Sequence, residues 1–110
     1  QSFGYAAKGI GFVLKTQPNF LIHLVILFFV ILTGWLTSLS TGEWIWIAIV
    51  SGMVLTAELF NTALEEFTDL VSPQFNKRAG RVKDLAAGAV LMSAITAAIV
   101  GLVIFAPKLL

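Results

Sequence analysis

Three long apolar runs, parted by short polar segments, organise this chain. The first extends from about Asn19 to Leu39, the second from about Trp44 to Leu64, and the third from after Asp84 to Phe105, ending at Pro107. Each has about the 20 mostly apolar residues that a helix needs to cross a bilayer, so the pattern predicts three transmembrane helices. Between the first two stands only STGE, Ser40 to Glu43, which leaves room for a tight hairpin turn and makes those helices antiparallel neighbours. Trp35, Trp44 and Trp46 cluster there as interfacial anchors. Ahead of the first span, SFGYAAKGIGFVLK interleaves Phe3, Tyr5, Ile10, Phe12, Val13 and Leu14 with Lys8 and Lys15. That mixture predicts an amphipathic helix over residues 1–16, lying in the interface plane. Gly4, Gly9 and Gly11 weaken its helicity, and Pro18 breaks the chain before it turns inward.

Composition agrees with a membrane solvent. Of 110 residues, 58% are hydrophobic, and the mean hydropathy is +0.94, against about 45–50% apolar residues in a soluble domain. So short a chain could not hide that much apolar surface in a core of its own, and one domain, 1–110, is expected. A net charge of +1, with the basic residues clustered, argues against a nucleic-acid partner. There is no cysteine, which excludes disulfide and thiolate chemistry, and the single His23 cannot build a zinc site alone. His23 is expected to hydrogen-bond between helices or at the interface. Because the chain begins at Gln1 rather than Met, its natural N-terminus is expected to be missing, and no cleavable signal peptide is visible.

Charge sets a direction. Lys8 and Lys15 precede the first span, and Lys77, Arg78, Arg81 and Lys83 lie between the second and third, whereas only Lys108 falls on the other side. By the positive-inside rule the N-terminus and the basic segment face the cytoplasm, and the C-terminus faces out.

Within the second run, AELFNTALEEFTD (Ala57 to Asp69) carries acids where the pattern calls for oil. At about 100° per residue, Glu58, Asn61, Glu65 and Asp69 share an arc of roughly 80°, with Glu66 pointing away from its centre. The four form a ladder rising from inside the membrane to water. An ionisable group at Glu58's depth costs about 2.5–3.5 kcal/mol on insertion scales and marks a functional site by default. The plainer reading has Glu58 and Asn61 joining helices by hydrogen bonds, but a structural contact needs one or two such groups, not four in register. Glu58 suits proton abstraction, while Glu65 and Asp69, nearer water, suit a hard cation such as Mg2+.

A second constellation is NKRAGRVKDLAAGA, Asn76 to Ala89. Its cations serve as topology signals, yet Lys83 and Asp84 open the third helix within reach of the carboxylate face, where a lysine suits a phosphate. Ala94 with Ala98, and Ala97 with Gly101, have the small-xxx-small spacing of closely approaching helices. Three helices enclose little, so a homo-oligomer is expected.

The run AELFNTALEEFTD, with KDLAAGAV following at Lys83 to Val90, resembles the prokaryotic diacylglycerol kinase family, which includes the undecaprenol kinases. The likeness extends from GYAAKG at Gly4 through all three spans. It implies an all-α homotrimeric membrane protein with three transmembrane helices and a surface helix, integral to the bacterial cytoplasmic membrane with its active site on the cytoplasmic side. Such an enzyme moves the γ-phosphate of MgATP to the hydroxyl of a lipid, diacylglycerol or undecaprenol, in phospholipid recycling or a lipid-carrier pool. The resemblance implies Glu58 as catalytic base, Glu65 as metal ligand, and Asn61 as a supporting residue. It also puts Lys83 and Asp84 in the nucleotide site, Lys83 toward the phosphates, and Tyr5 against the nucleotide. The basic segment Phe75 to Arg81 is expected to close over that nucleotide, and Asp69 matches an acidic position without an assigned role. NF-x-x-H at Asn19 to His23 and S-P-x-x-N-K at Ser72 to Lys77 look more like the undecaprenol-kinase branch.

One position departs from the family pattern. Gln17 stands where the family usually has a glutamate that is the second metal ligand. Its amide oxygen can coordinate Mg2+ but brings no charge, so weaker metal and nucleotide binding is expected. Two other readings compete: a catalytically impaired relative, and an ion- or proton-translocating subunit, since intramembrane acids also mark such paths.

Overall fold

The computed structural model describes residues 2–110; Gln1, counted in the expected surface helix, lies outside them. Four α-helices follow in order: α1 (Ser2–Thr16), α2 (Pro18–Leu36), α3 (Thr41–Val71) and α4 (Lys77–Leu109). Of these, α2, α3 and α4 are long and apolar enough to cross a membrane. The protein is thus all-α, with three candidate spans behind an N-terminal helix. The glycines of α1 do not interrupt it. Gln17 in extended backbone separates α1 from α2, and Pro18 occupies the first helical turn, where its missing N–H costs nothing.

Two helices outrun the apolar runs that predict them. With 31 residues, α3 is about 47 Å long, and α4 with 33 is about 50 Å, against about 30 Å of hydrocarbon. The hydropathy pattern registers only the part in oil; polar turns continue beyond it because α3 and α4 support one another. Lys77, Arg78 and Arg81, expected in a loop over the nucleotide, instead occupy the first turns of α4. Asn76 starts that helix, its Oδ1 accepting from the Arg78 N–H at 2.8 Å and the Ala79 N–H at 3.3 Å. The non-helical connection is the uncharged stretch 72–76. At the other end α4 passes through Pro107 to Leu109; so near the helix end, proline removes only one backbone bond.

The hairpin between α2 and α3 lies slightly earlier than STGE. Leu39 N–H donates to Gly34 O at 3.1 Å and Ser38 N–H to Trp35 O at 3.3 Å, the paired bonds of a Schellman ending. Ser38 takes the left-handed conformation, φ 58°, that such an ending requires. STGE itself caps α3: Ser40 Oγ accepts from the Glu43 N–H at 3.2 Å, and Glu43 Oε1 accepts from the Ser40 N–H at 2.9 Å. This is a capping box, and the S-x-x-E spacing already spelled it. The Ser40 N–H, with Lys108 adding to it, holds the Glu43 carboxyl below the usual carboxylate range.

Burial follows one stripe of α3. Ile47, Val50, Val54, Glu58 and Thr62 are buried, at helical spacing, so α3 is the helix against which the others pack. Opposite its start, Leu39, Ile47 and Ile104 form an apolar cluster. Close approach there depends on Gly34: a Cβ at that position would stand 2.7 Å from Trp44 Cη2 and 2.8 Å from Leu39 Cδ1. Gly34→Ala is therefore expected to destabilise the hairpin by about 1–3 kcal/mol, read as a lowered unfolding midpoint in detergent micelles; an unchanged midpoint would show that Trp44 and Leu39 yield freely.

Candidate active site

The acidic face of α3 has been sorted by its neighbours. Glu58 is only 2% exposed, and its Oε1 lies 3.2 Å from His23 Nε2 on α2. His23 therefore joins helices as expected, and its partner is the deepest acid of the ladder. One turn further along, Thr62 turns its hydroxyl back on the Glu58 carbonyl, at 3.0 Å. That leaves the Glu58 carboxylate to His23.

Asn61 faces α4. It helps to line an apolar groove of about 640 Å³ with Ala57, Phe60, Leu64, Ala86 and Ser93 among its walls. Its side-chain Oδ1 is buried and has no hydrogen-bond partner among the described residues. Leaving such an acceptor unsatisfied costs about 1–3 kcal/mol, so a donor that enters the groove gains the bond.

At the far end of α3, Asp69 Oδ1 meets Lys83 Nζ on α4 at 2.7 Å. Sequence reading suited Asp69 to a hard cation, and the family resemblance gave it no role; here its partner is a lysine. The hydrogen bond that Lys83 donates to Asp69, then the charges of Asp69 and Glu65, raise the Lys83 pKa above the ordinary lysine value. Both partners remain largely open to water, at 39% and 62% exposed. Beside them, Thr68, Asp69, Ser72, Gly80 and Lys83 help to line a polar cleft of about 230 Å³ at the turn into α4.

Distance along α3 places these groups. At about 1.5 Å per residue, Glu58 stands about 26 Å from Thr41, Glu65 about 36 Å and Asp69 about 42 Å. With the tryptophan-bearing hairpin at one boundary of a hydrocarbon layer about 30 Å thick, Glu58 is inside it and Asp69 beyond it.

Other expected site residues stay apart. Tyr5 is 70% exposed on α1, Asp84 is exposed on α4, and neither forms an ion pair among the described residues. Gln17 is the N-cap position of α2, without a side-chain capping bond. Helix α1 instead lays Ala6, Gly9 and Val13 over Thr62 and Glu66 of α3. No group of three His, Asp or Glu side chains that could hold a metal occurs among the described residues. The donors expected for Mg2+, one carboxylate and one amide, fit an ion that arrives already bound to phosphates, because Mg2+ on a nucleotide takes only one or two protein ligands.

A carboxylate buried in the apolar part of α3, on the same helix as an acid that pairs with Lys83 of α4 at the polar end, suits an enzyme that joins a lipid to a water-borne substrate. The chain belongs to the prokaryotic diacylglycerol kinase family, whose sequence profile matches residues 4–105. It is 39% identical over 109 residues to an undecaprenol kinase of Bacillus subtilis, covering 99% of this chain and 89% of that protein. Over 110 residues it is 42% identical to a diacylglycerol kinase of Synechocystis, covering 99% of this chain and 63% of that protein. The protein is a membrane lipid kinase, and the ion-translocating reading loses its ground.

The pair of Lys83 and Asp69 has a pH signature. A lysine whose pKa is raised on folding contributes stability that is full below the ordinary lysine value and lost as pH rises through the raised one. Asp69→Asn is expected to bring the Lys83 titration, followed by NMR of its side chain in micelles, back toward the ordinary value. A titration that Asp69→Asn leaves unmoved would mean that another group sets it.

Proposed function

We propose that the protein transfers the γ-phosphoryl group of ATP to the hydroxyl of a long-chain lipid alcohol at the cytoplasmic face of the bacterial membrane, undecaprenol being the first candidate. The observation that carries this reading is Glu58, a carboxylate buried on a transmembrane helix where only a membrane-borne hydroxyl can present its proton. Glu58 takes that proton as the oxygen attacks the γ-phosphorus, a new O–P bond forms, and ADP leaves with the electrons of the bond that breaks. Asn61 Oδ1, buried and unpaired among the described residues on the groove wall, accepts a hydrogen bond from the alcohol as it enters and releases it when the hydroxyl turns its single proton to Glu58.

The nucleotide arrives from the water side. Lys83 exchanges Asp69 for phosphate oxygens, Asp84 and Tyr5 contact the rest of the nucleotide, and Lys77, Arg78 and Arg81 make the first turns of α4 electropositive. Glu65 and Gln17 would hold a Mg2+ ion bound to the nucleotide, which would offset the triphosphate charge. Phosphoryl transfer asks mainly for positioning and charge neutralisation, and this set supplies both without a Walker loop. Three protomers assemble around these sites: α2 and α4 leave Phe28, Phe29, Leu91, Met92, Leu102 and Val103 exposed, a surface that lipid and neighbouring copies can share.

Undecaprenol stands first because the chain spans 89% of the length of the undecaprenol kinase that it resembles. Diacylglycerol is the second reading, favoured by the 42% identity to a diacylglycerol kinase. The test presents each lipid separately in mixed micelles with γ-labelled ATP and Mg2+. Label in undecaprenol in preference to diacylglycerol is expected; the reverse order selects the second reading, and label in neither identifies a catalytically impaired relative.

Two substitutions sharpen the assignment. Glu58→Gln should lower kcat by about 10²–10⁴-fold, the usual worth of a general base. Gln17→Glu should lower the Mg2+ concentration needed for half-maximal rate, because a charged ligand replaces a neutral one; no gain would remove Gln17 from the metal site.

A further inference from the structure

We infer that His23 is the positioning residue for Glu58: its Nε2–H holds one carboxylate oxygen so that the other faces the lipid hydroxyl. The inference rests on the proposed role of Glu58 as base and names what aims it. Nothing in the family resemblance assigned His23 a part in the chemistry.

Three observations combine. His23 Nε2 and Glu58 Oε1 are 3.2 Å apart, hydrogen-bond distance for an imidazole donor. Glu58 is buried, and among the described residues His23 is the only cationic or imidazole side chain within ion-pair distance of its carboxylate. A carboxylate in so apolar a place cannot leave both oxygens bare. With Oε1 engaged, Oε2 is the free acceptor, and the rotation that would carry it away from the hydroxyl is blocked.

The placement of His23 suits this task. It sits one turn above the N-terminus of α2, which starts at Pro18, so its backbone is fixed by the sharp entry at Gln17. It also stands in the wall of an apolar cleft lined by Ile26, Val30, Val50, Val54 and Ala97. The imidazole is the polar member of that wall nearest Glu58, with its side chain 23% exposed while Glu58's is 3% exposed. A neutral imidazole protonated at Nε2 donates to Oε1 and leaves Nδ1 as an acceptor.

A purely structural pair would behave differently from a pair that aims a base. Misplacing a reacting group by about 1 Å costs about 10²-fold in rate, and that loss falls on kcat, not on substrate binding. The test measures phosphoryl transfer by the full chain in mixed micelles for His23→Phe, His23→Gln and Glu58→Gln, with MgATP binding measured directly on each. His23→Phe keeps the ring volume without a donor, and His23→Gln returns an N–H near the position of Nε2. Expected are a kcat for His23→Phe lowered by about 10–100-fold, KM values and MgATP binding nearly unchanged, and a kcat for His23→Gln within several-fold of the parent. In the Glu58→Gln background, His23→Phe should add no further loss, since there is no base left to aim.

The inference is overturned if His23→Phe keeps its kcat, if its loss appears as raised KM or lost MgATP binding, or if His23→Gln is no better than His23→Phe. Glu58→Gln separates the levels. An active Glu58→Gln removes the base itself and this inference with it, whereas an inactive Glu58→Gln beside a fully active His23→Phe overturns the role of His23 alone.

Discussion

An acid buried on a membrane-crossing helix constrains everything around it. Glu58 is 2% exposed in a span of mean hydropathy 1.6, where an unpaired charge is among the most expensive groups a protein can hold. The chain meets that cost on one helix stripe only. Above Glu58 the buried positions of α3 are Ile47, Val50 and Val54, and below it they become Thr62 and Thr68. The apolar part anchors the helix, the polar part leads toward water, and His23 pairs with Glu58 at the change.

Length connects that buried point to water. A helix of about 20 residues would end near the membrane surface, leaving Glu65 and Asp69 on a flexible segment. Because α3 continues to Val71 and α4 begins at Lys77, both groups are fixed on helix. The two long helices are tied at each end: Asp69 to Lys83 at 2.7 Å on one side, and Glu43 to Lys108 at 3.3 Å on the other. Exposed pairs contribute little stability by themselves. Their value here is register, since they fix how far α4 is slid along α3 and therefore which residues of α4 face Asn61.

How much of this was legible follows from what each signal measures. Hydropathy reports the oil and found three spans, but it is blind to helix that continues in water, so it stopped near Leu64 and began again after Asp84. Charge counting grouped Lys77, Arg78 and Arg81 as a loop because nothing in their chemistry says helix; Asn76, the cap, was the available sign. Helical periodicity placed Glu58, Asn61, Glu65 and Asp69 on one face correctly. It could not divide that face among α2 and α4, because which helix covers which residue is a tertiary fact. Hence His23 was read as an interhelical residue without its partner, and Asp69 as an acid without its lysine. The unpaired Oδ1 of Asn61 has no sequence signature at all.

The same geometry explains why so small a chain can catalyse phosphoryl transfer. A soluble kinase must build a pocket that excludes water and then bring both substrates into it. Here the bilayer does the excluding, and the lipid alcohol is already in the low-dielectric phase. On the proposed reading, what remains for the protein is to hold a base at the depth of the hydroxyl and cations at the depth of the phosphates. Two helices set these depths: α3 fixes roughly 16 Å between Glu58 and Asp69, eleven residues at about 1.5 Å each, and Asp69 ties Lys83 of α4 to that level. The groove beside Asn61 is apolar with few polar atoms, and such a groove discriminates chain shape only weakly. Two relatives with different lipid names are each identical to this chain at about two-fifths of the aligned positions, so overall identity does not choose between the two lipids.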